Sequence, residues 1–218
     1  MYDDRYDAGN TLANLLSDYK DKQKKILTIP NGGVPVGGPI VKKIGGKMGL
    51  IIVRKLQIPY NPEAGFGAVT MDGTVILNQR LLKHVRLTRS QIDQVVSKTK
   101  AEIKDRINFY NIDYSDFGDK IRNELIIICD DGLASGFTML AALKSIKKYE
   151  PKEIIVAVPT SPRSSYELVS NQDVEVICPN VEDTTYFAVA NAYKNWYDLK
   201  KEEVLEIIND LKEKDRFF

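Results

Sequence analysis

Two adjacent carboxylates, Asp130 and Asp131, end the apolar run Leu125-Ile126-Ile127-Ile128-Cys129. Gly132-Leu133-Ala134-Ser135-Gly136-Phe137-Thr138 follows directly. Small residues let backbone N–H groups approach a phosphate, and the helical pattern from Phe137 to Lys148 adds its N-terminal dipole. Ser135 and Thr138 can donate hydroxyl hydrogen bonds. The two carboxylates would repel a phosphate placed on them. They suit sugar hydroxyls, or Mg²⁺ reached through water. An unbroken apolar run reads as a strand buried on both faces, as in a parallel sheet. Ligands of such sheets bind beyond the carboxyl ends of the strands.

The elements that must hold these residues follow from periodicity. Arg5 to Tyr19 repeats apolar residues at helical spacing through Ala8, Leu12, Leu15 and Leu16. A strand from Lys25 to Pro30 leads into the turn Asn31-Gly32-Gly33. A helix from Pro35 to Ile44 follows, with proline in its first turn. At that turn glycine either permits a plain change of direction or exposes N–H groups to a phosphate. A further apolar strand, Gly49 to Arg54, ends in the basic pair Arg54-Lys55. Leu56 to Gly67 is rich in Pro and Gly and reads as a loop. Asp72-Gly73, between Val69–Met71 and Thr74–Leu77, favours a tight hairpin. The longest helix runs from Thr88 to Tyr110. Thr88 and Gln91 form its capping box, and Ile92, Val95, Val96, Ile103 and Ile107 form its apolar stripe. Its remaining surface is charged and reads as solvated. After the Leu125 strand and its helix come a strand from Glu153 to Val158, a helix from Arg163 to Val169 and a strand from Val174 to Ile177. Cys178 to Tyr197 reads as irregular and aromatic, and Lys200 to Lys214 as an amphipathic helix. Strands alternating with helices predict an α/β fold: a doubly wound, mostly parallel sheet flanked by helices.

At 218 residues, 43% of them hydrophobic, the chain suits a single domain over 1–218 with a sizeable core. A net charge of +1 offers no basic excess for nucleic acid. Cys129 and Cys178 have neither metal-site nor disulfide spacing and read as small core residues in a reducing cytoplasm. No long apolar segment opens the chain and none reaches the length of a membrane span, which predicts neither signal peptide nor membrane partner. His84, the one histidine, follows Leu81-Leu82-Lys83 and has no nucleophile near it in sequence. It is expected at a surface or helix end. No Gly-x-Gly-x-x-Gly follows the first strand, which argues against a dinucleotide site.

The order of apolar residues, two acids, two variable positions, a small residue, a hydroxyl, Gly, any residue and Thr resembles the phosphoribosyl-pyrophosphate (PRPP) motif of type I phosphoribosyltransferases. Ser135 stands where Thr is usual and keeps the hydroxyl. A group of predicted bacterial and archaeal phosphoribosyltransferases is similar over nearly the whole chain. It shares Asp4-Arg5-Tyr6-Asp7-Ala8-Gly9, Pro30 with Gly32 to Gly37, Val53 to Leu56, Asn61-Pro62-Glu63, Gly67-Ala68-Val69 and Phe187-Ala188-Val189.

The resemblance implies a Mg²⁺-dependent transferase that moves 5-phosphoribosyl from PRPP to a base and releases pyrophosphate. It implies a homodimer, and a small hood from about 178 to 199. On it, Asp130 and Asp131 hold the ribose hydroxyls and reach Mg²⁺ through water. Ala134, Ser135, Gly136, Phe137 and Thr138 cradle the 5′-phosphate. Asn31, Gly32 and Gly33 form the pyrophosphate loop, beside Arg54 and Lys55. The Asn61 to Gly67 loop closes the site, with Glu63 its candidate proton acceptor. Asn31 departs from the group, which usually has Arg there, and so removes a charge from the pyrophosphate loop. That departure favours an alternative, a PRPP- or nucleotide-sensing module without catalysis. Ala134 falls where 6-oxopurine enzymes commonly carry an acid, which points away from hypoxanthine and guanine. Tyr186, Phe187 and Trp196 in the hood could stack on a base.

Overall fold

The computed structural model describes residues 1–184 and 186–218, apart from the side chains of Pro62 and Glu63. Helix α1 (Arg5–Leu15) is capped by Asp4, whose carboxylate accepts from the Asp7 N–H. Strand β1 (Lys24–Thr28) leads to α2 (Gly33–Ile44) and β2 (Lys47–Leu50). Then come β3 (Val53–Ile58), β4 (Asn61–Thr70) and β5 (Val75–Leu77). Helices α3 (Gln79–Val85), α4 (Arg89–Tyr110) and α5 (Phe117–Ile121) precede β6 (Leu125–Cys129) and α6 (Phe137–Lys147). The chain continues through β7 (Glu153–Ala157), β8 (Thr160–Pro162), α7 (Arg163–Ser170), β9 (Glu175–Ile177), β10 (Asn180–Glu182) and α8 (Lys201–Glu213).

Five strands form one parallel sheet in the order β2-β1-β6-β7-β9. Its β6 alternates between two layers. Ile126 and Ile128 pack with Met139, Leu143 and Ile146 of α6. Ile127 and Cys129 pack with Ile40 and Ile44 of α2 and with Val204 and Ile208 of α8. Side chains on a strand point to opposite faces with a period of two. A strand with helices on both faces therefore needs no polar position, which is why its sequence reads as one apolar run. Thr28 lies opposite Cys129 where β1 and β6 end. The segments that begin at Ile29 and Asp130 thus open side by side at the carboxyl edge of the sheet.

Two expectations are corrected by the second sheet, the antiparallel β3-β4-β5. The apolar stretch Gly49 to Arg54 is not one strand: Lys47–Leu50 joins the central sheet and Val53–Ile58 the second. Leu56 to Gly67 is not a loop. It belongs to a hairpin in which β3 and β4 pair from Val53 opposite Thr70 to Ile58 opposite Asn61. Leu56, Ile58 and Phe66 are buried in one layer of the core, and Ala68 and Val53 in the other. Residues 61–65 pair with β3 alone, since β5 reaches only Gly67 to Val69. Proline is tolerated on such a one-sided segment. The Asp72-Gly73 turn forms as expected, with Gly73 at φ 81°. The Thr88 capping box also forms: Gln91 N–H donates to Thr88 Oγ1 at 3.2 Å and Thr88 N–H to Gln91 Oε1 at 2.8 Å.

The stretch 178–197 is less irregular than its sequence suggests. Within it β10 pairs in parallel with β8, and residues 189–192 make a 3-10 turn. Tyr2 bridges to Tyr193, so the N-terminal residues pack against this segment. Cys129 is buried, Cys178 is half-buried, and both thiols are free. Exposed His84 lies in the last turn of α3, with Nδ1 2.8 Å from the Arg80 carbonyl. No described helix is long and apolar enough to cross a membrane.

Candidate active site

Asp130 and Asp131 follow β6 immediately. Asp130 Oδ1 accepts the Asp131 N–H at 2.9 Å. The turn after β1, whose Pro30–Asn31 peptide is cis, runs across them. A Cβ on Gly32 would collide with Asp131 Oδ2, and one on Gly33 would lie 2.7 Å from the Cys129 carbonyl oxygen. Close approach, with φ at an ordinary −61° for Gly32, is what requires the missing side chain. Burial, then the charge of Asp131, pushes the Asp130 carboxyl well above the usual carboxylate range. Burial raises Asp131 too, against the pull of Arg5.

Arg5, the first residue of α1, reaches across to this pair. Its Nε donates to Asp131 Oδ2 at 2.8 Å and its Nη1 to the Tyr197 carbonyl at 3.0 Å. The guanidinium lies 3.9 Å from the centroid of the Trp196 ring. Tyr193 donates its hydroxyl to the Asp131 carbonyl at 2.6 Å. The N-terminus and the aromatic segment therefore both close on the second acid.

Past the acids, Gly136 takes φ 77° as the N-cap of α6 and brings no side chain to cap the helix. The first-turn N–H groups of such a helix are left for another acceptor, and an anion fits them. Ser165 donates to the Ala134 carbonyl at 2.7 Å, which pins the turn from behind. Ala134, Ser135, Gly136 and Thr138 line the cleft that results.

Cations complete the wall. Arg54 and Lys55 lie on β3 and line the cleft, and Arg54 Nη2 is 3.4 Å from Glu102 of α4. Arg106 of α4 lines it as well and donates through Nη1 to Asn31 Oδ1 at 2.8 Å. Together these groups enclose about 600 Å³, a volume typical of small-molecule sites. A floor of two acids, a wall of unpartnered helix-start N–H groups and a second wall of cations can hold a sugar bearing phosphates at both ends.

A profile of the phosphoribosyl transferase domain matches residues 3–196. The chain belongs to the phosphoribosyl transferase family. Two strains of Mycobacterium tuberculosis, CDC 1551 / Oshkosh and ATCC 25618 / H37Rv, have a relative provisionally named as a phosphoribosyl transferase. It is 29% identical over 209 residues, covering 96% of this chain and 46% of the relative. This chain thus spans about half the length of the curated relatives it matches. Among solved structures, TT1426 from Thermus thermophilus superposes with a TM-score of 0.74 at 26% identity, over 96% of this chain and 98% of that one. A Neisseria gonorrhoeae protein crystallised with ppGpp shares the fold, with a TM-score of 0.52 at 15% identity over 99% and 95% of the two chains.

Within this phosphoribosyl transferase domain the cleft gathers Asp130, Asp131, Asn31, Gly32, Arg54, Lys55, Ala134, Ser135, Gly136 and Thr138. Three expected residues stand apart. Gly33 is buried behind the acids, and its N–H is donated to the Ile29 carbonyl at 3.0 Å, so it has no exposed donor for a phosphate. Phe137 opens α6 without lining the cleft, although Gly136 before it and Thr138 and Met139 after it do. The side chain of Glu63 lies outside the described residues. Two cations at the cleft were missed. Arg106 interrupts the apolar stripe of α4 between Ile103 and Tyr110, and Arg5 interrupts that of α1 ahead of Ala8 and Leu12. A charge at a stripe position is the signal that could have found both.

Proposed function

We propose that this domain transfers 5-phosphoribosyl from PRPP to a nitrogen acceptor and releases pyrophosphate. The observation that supports it is the shared cleft, in which the acid pair, the open start of α6 and the cations of β3 and α4 face one volume. On this reading the ribose hydroxyls meet Asp130 and Asp131. The 5′-phosphate meets the 134–138 turn, and pyrophosphate meets Gly32, Asn31, Arg54 and Lys55. The C1′–O bond to pyrophosphate breaks, a C1′–N bond forms, and the acceptor nitrogen gives up its proton. Positioning and exclusion of water do most of the work. The segment from about 178 to 199 acts as the hood, with Trp196 near the acceptor.

The residues fit Mg²⁺ held indirectly. Among the described residues no group of three or more His, Cys, Asp or Glu is gathered for a metal. Mg²⁺ usually keeps several waters and takes substrate phosphates with one or two carboxylates, which is what Asp130 and Asp131 offer. When bound it would neutralise charge on the departing pyrophosphate. The sensing alternative drew on the missing charge at Asn31, and Arg106 beside that residue weakens it.

The test is pyrophosphate release from PRPP and Mg²⁺ with a panel of purine, pyrimidine and nicotinate-type bases. Release with one base is expected, and Asp130→Asn or Asp131→Asn should lower it by about 10²–10³-fold, the scale of lost transition-state electrostatics. Full activity in both variants would refute the assignment. PRPP binding without release under any base would support the sensing alternative.

A further inference from the structure

Arg106 is the cleft's least explained group. It lies three residues after buried Ile103 and four before buried Tyr110, on the inward face of α4. Its position is fixed through Asn31. That amide donates through Nδ2 to the Leu199 carbonyl at 2.6 Å. Its Oδ1 accepts from Arg106 at 2.8 Å and from the Tyr110 hydroxyl at 3.1 Å. Two donors converge on one oxygen, so the amide orientation follows from its partners. Of the five N–H donors on a guanidinium, Asn31 engages only Nη1 of Arg106.

The electrostatics ask for an anion. Arg54 and Arg106 line the same cleft, and the ion pair with Glu102 belongs to Arg54. Burial, and then the neighbouring Arg54 cation, lowers the Arg106 pKa from its ordinary value. Two guanidinium groups held near one another are relieved by a ligand with two or more negative charges, and the planar fork of Arg matches phosphate oxygens. The same geometry explains why residue 31 is uncharged: a cation there would be driven against Arg106.

We infer that Arg106 is a binding residue for the pyrophosphate group of the donor, aimed by Asn31 and acting with Arg54. This rests on the transferase reading above. The test is calorimetry of wild type, Arg106→Gln, Arg106→Lys and Asn31→Ala with Mg²⁺-pyrophosphate, PRPP and ribose 5-phosphate. Arg106→Gln should weaken pyrophosphate and PRPP by about 10–100-fold, the scale of one charge-assisted contact. Ribose 5-phosphate, which lacks the pyrophosphate, should bind as before. Arg106→Lys should recover part of the loss. Asn31→Ala should give a smaller loss of the same selectivity, since the charge stays but is no longer aimed. Equal pyrophosphate affinity in wild type and Arg106→Gln would overturn the inference and leave the transferase reading standing. A matching loss of ribose 5-phosphate would show a purely structural role and overturn it too. A wild type that binds neither PRPP nor pyrophosphate would overturn both readings.

Discussion

Replacing Arg5 with Met should cost this domain several kilocalories of stability. The side chains of Arg5 and Asp131 are 8% and 14% exposed, so their bond is an interior one. Exposed pairs are worth about 0–1 kcal/mol. Removing one partner of a buried pair costs about 3–5 kcal/mol, because the other charge stays behind without compensation. Here that charge is Asp131, beside Asp130 and already raised by burial. The Tyr197 carbonyl loses its donor and Trp196 its cation in the same step. For a chain of this size each kcal/mol shifts Tm by about 2–4 °C, so the expected fall is about 6–20 °C. Urea unfolding followed by circular dichroism gives the free energy, and calorimetry gives Tm. Asp131→Asn and the double variant close a cycle. Each single change strands a buried group, so the double should cost about 1–3 kcal/mol less than the sum. Arg5→Lys should restore little, since an ammonium cannot bond Asp131, reach Tyr197 and stack on Trp196 in one plane. A loss below about 1 kcal/mol for Arg5→Met, or simple additivity, would show that the pair behaves like a surface contact and refute the reasoning.

The turn between β4 and β5 predicts a pH effect. Burial tends to raise Asp72, but bonds from Lys148, Thr70 and Thr74 outweigh it and hold the carboxyl well below its usual range. A depressed native pKa gives stability that is complete above the unfolded carboxylate value, near about 4, and is lost as pH falls through the native one. Asp72→Asn should therefore lose about 1.5–3 kcal/mol at pH 7, the scale of hydrogen bonds to a charged group. The gap to wild type should narrow in urea titrations below about pH 4. A gap that stays constant across that range would contradict the assignment. Two glycine substitutions make a second, paired test. Gly32→Ala places a Cβ on Asp131 Oδ2 and should cost about 1–3 kcal/mol together with PRPP affinity. Gly38→Ala, in the interior of α2 where nothing outside its own helix and chain neighbours lies within 4 Å of the Cβ and only Pro39 restricts the backbone, should change stability by less than about 1 kcal/mol. Equal effects at both positions in thermal unfolding would show that close approach at Gly32 is not what keeps it small.

The parallel sheet was legible because burial on both faces writes the same signal at every position of a strand. Leu125–Cys129 and Ile154–Ala157 carry no polar residue, and both strands are in the core. The β3–β4 hairpin was hidden for the opposite reason. Gly65 and Gly67 pass against the Lys55 side chain and the Ile76 carbonyl, where a Cβ would collide with each. Glycine there serves close packing between strands, yet in sequence it is indistinguishable from glycine that breaks a strand. The pairing of β10 with β8 escaped notice because each strand has three residues, too few for any periodicity to register.

The site divides along the same line. Asp130 to Thr138 is contiguous, and local order alone places its acids at a strand end and its hydroxyls at a helix start. Arg5 acts on that segment from 126 residues upstream, and Arg106 lines the same cleft from a helix bonded to Asn31. Their roles depend on which face of α1 and α4 turns inward, and that is decided by tertiary packing. Read one at a time, Asn31 is a lost charge and Arg106 a solvated one. Read together, at 2.8 Å, the two keep one cation at the same wall of the cleft. A charge can move from a loop to a facing helix without leaving the volume that a ligand occupies. What a phosphate group senses is the position of the cation in space, which a motif defined by consecutive residues does not record.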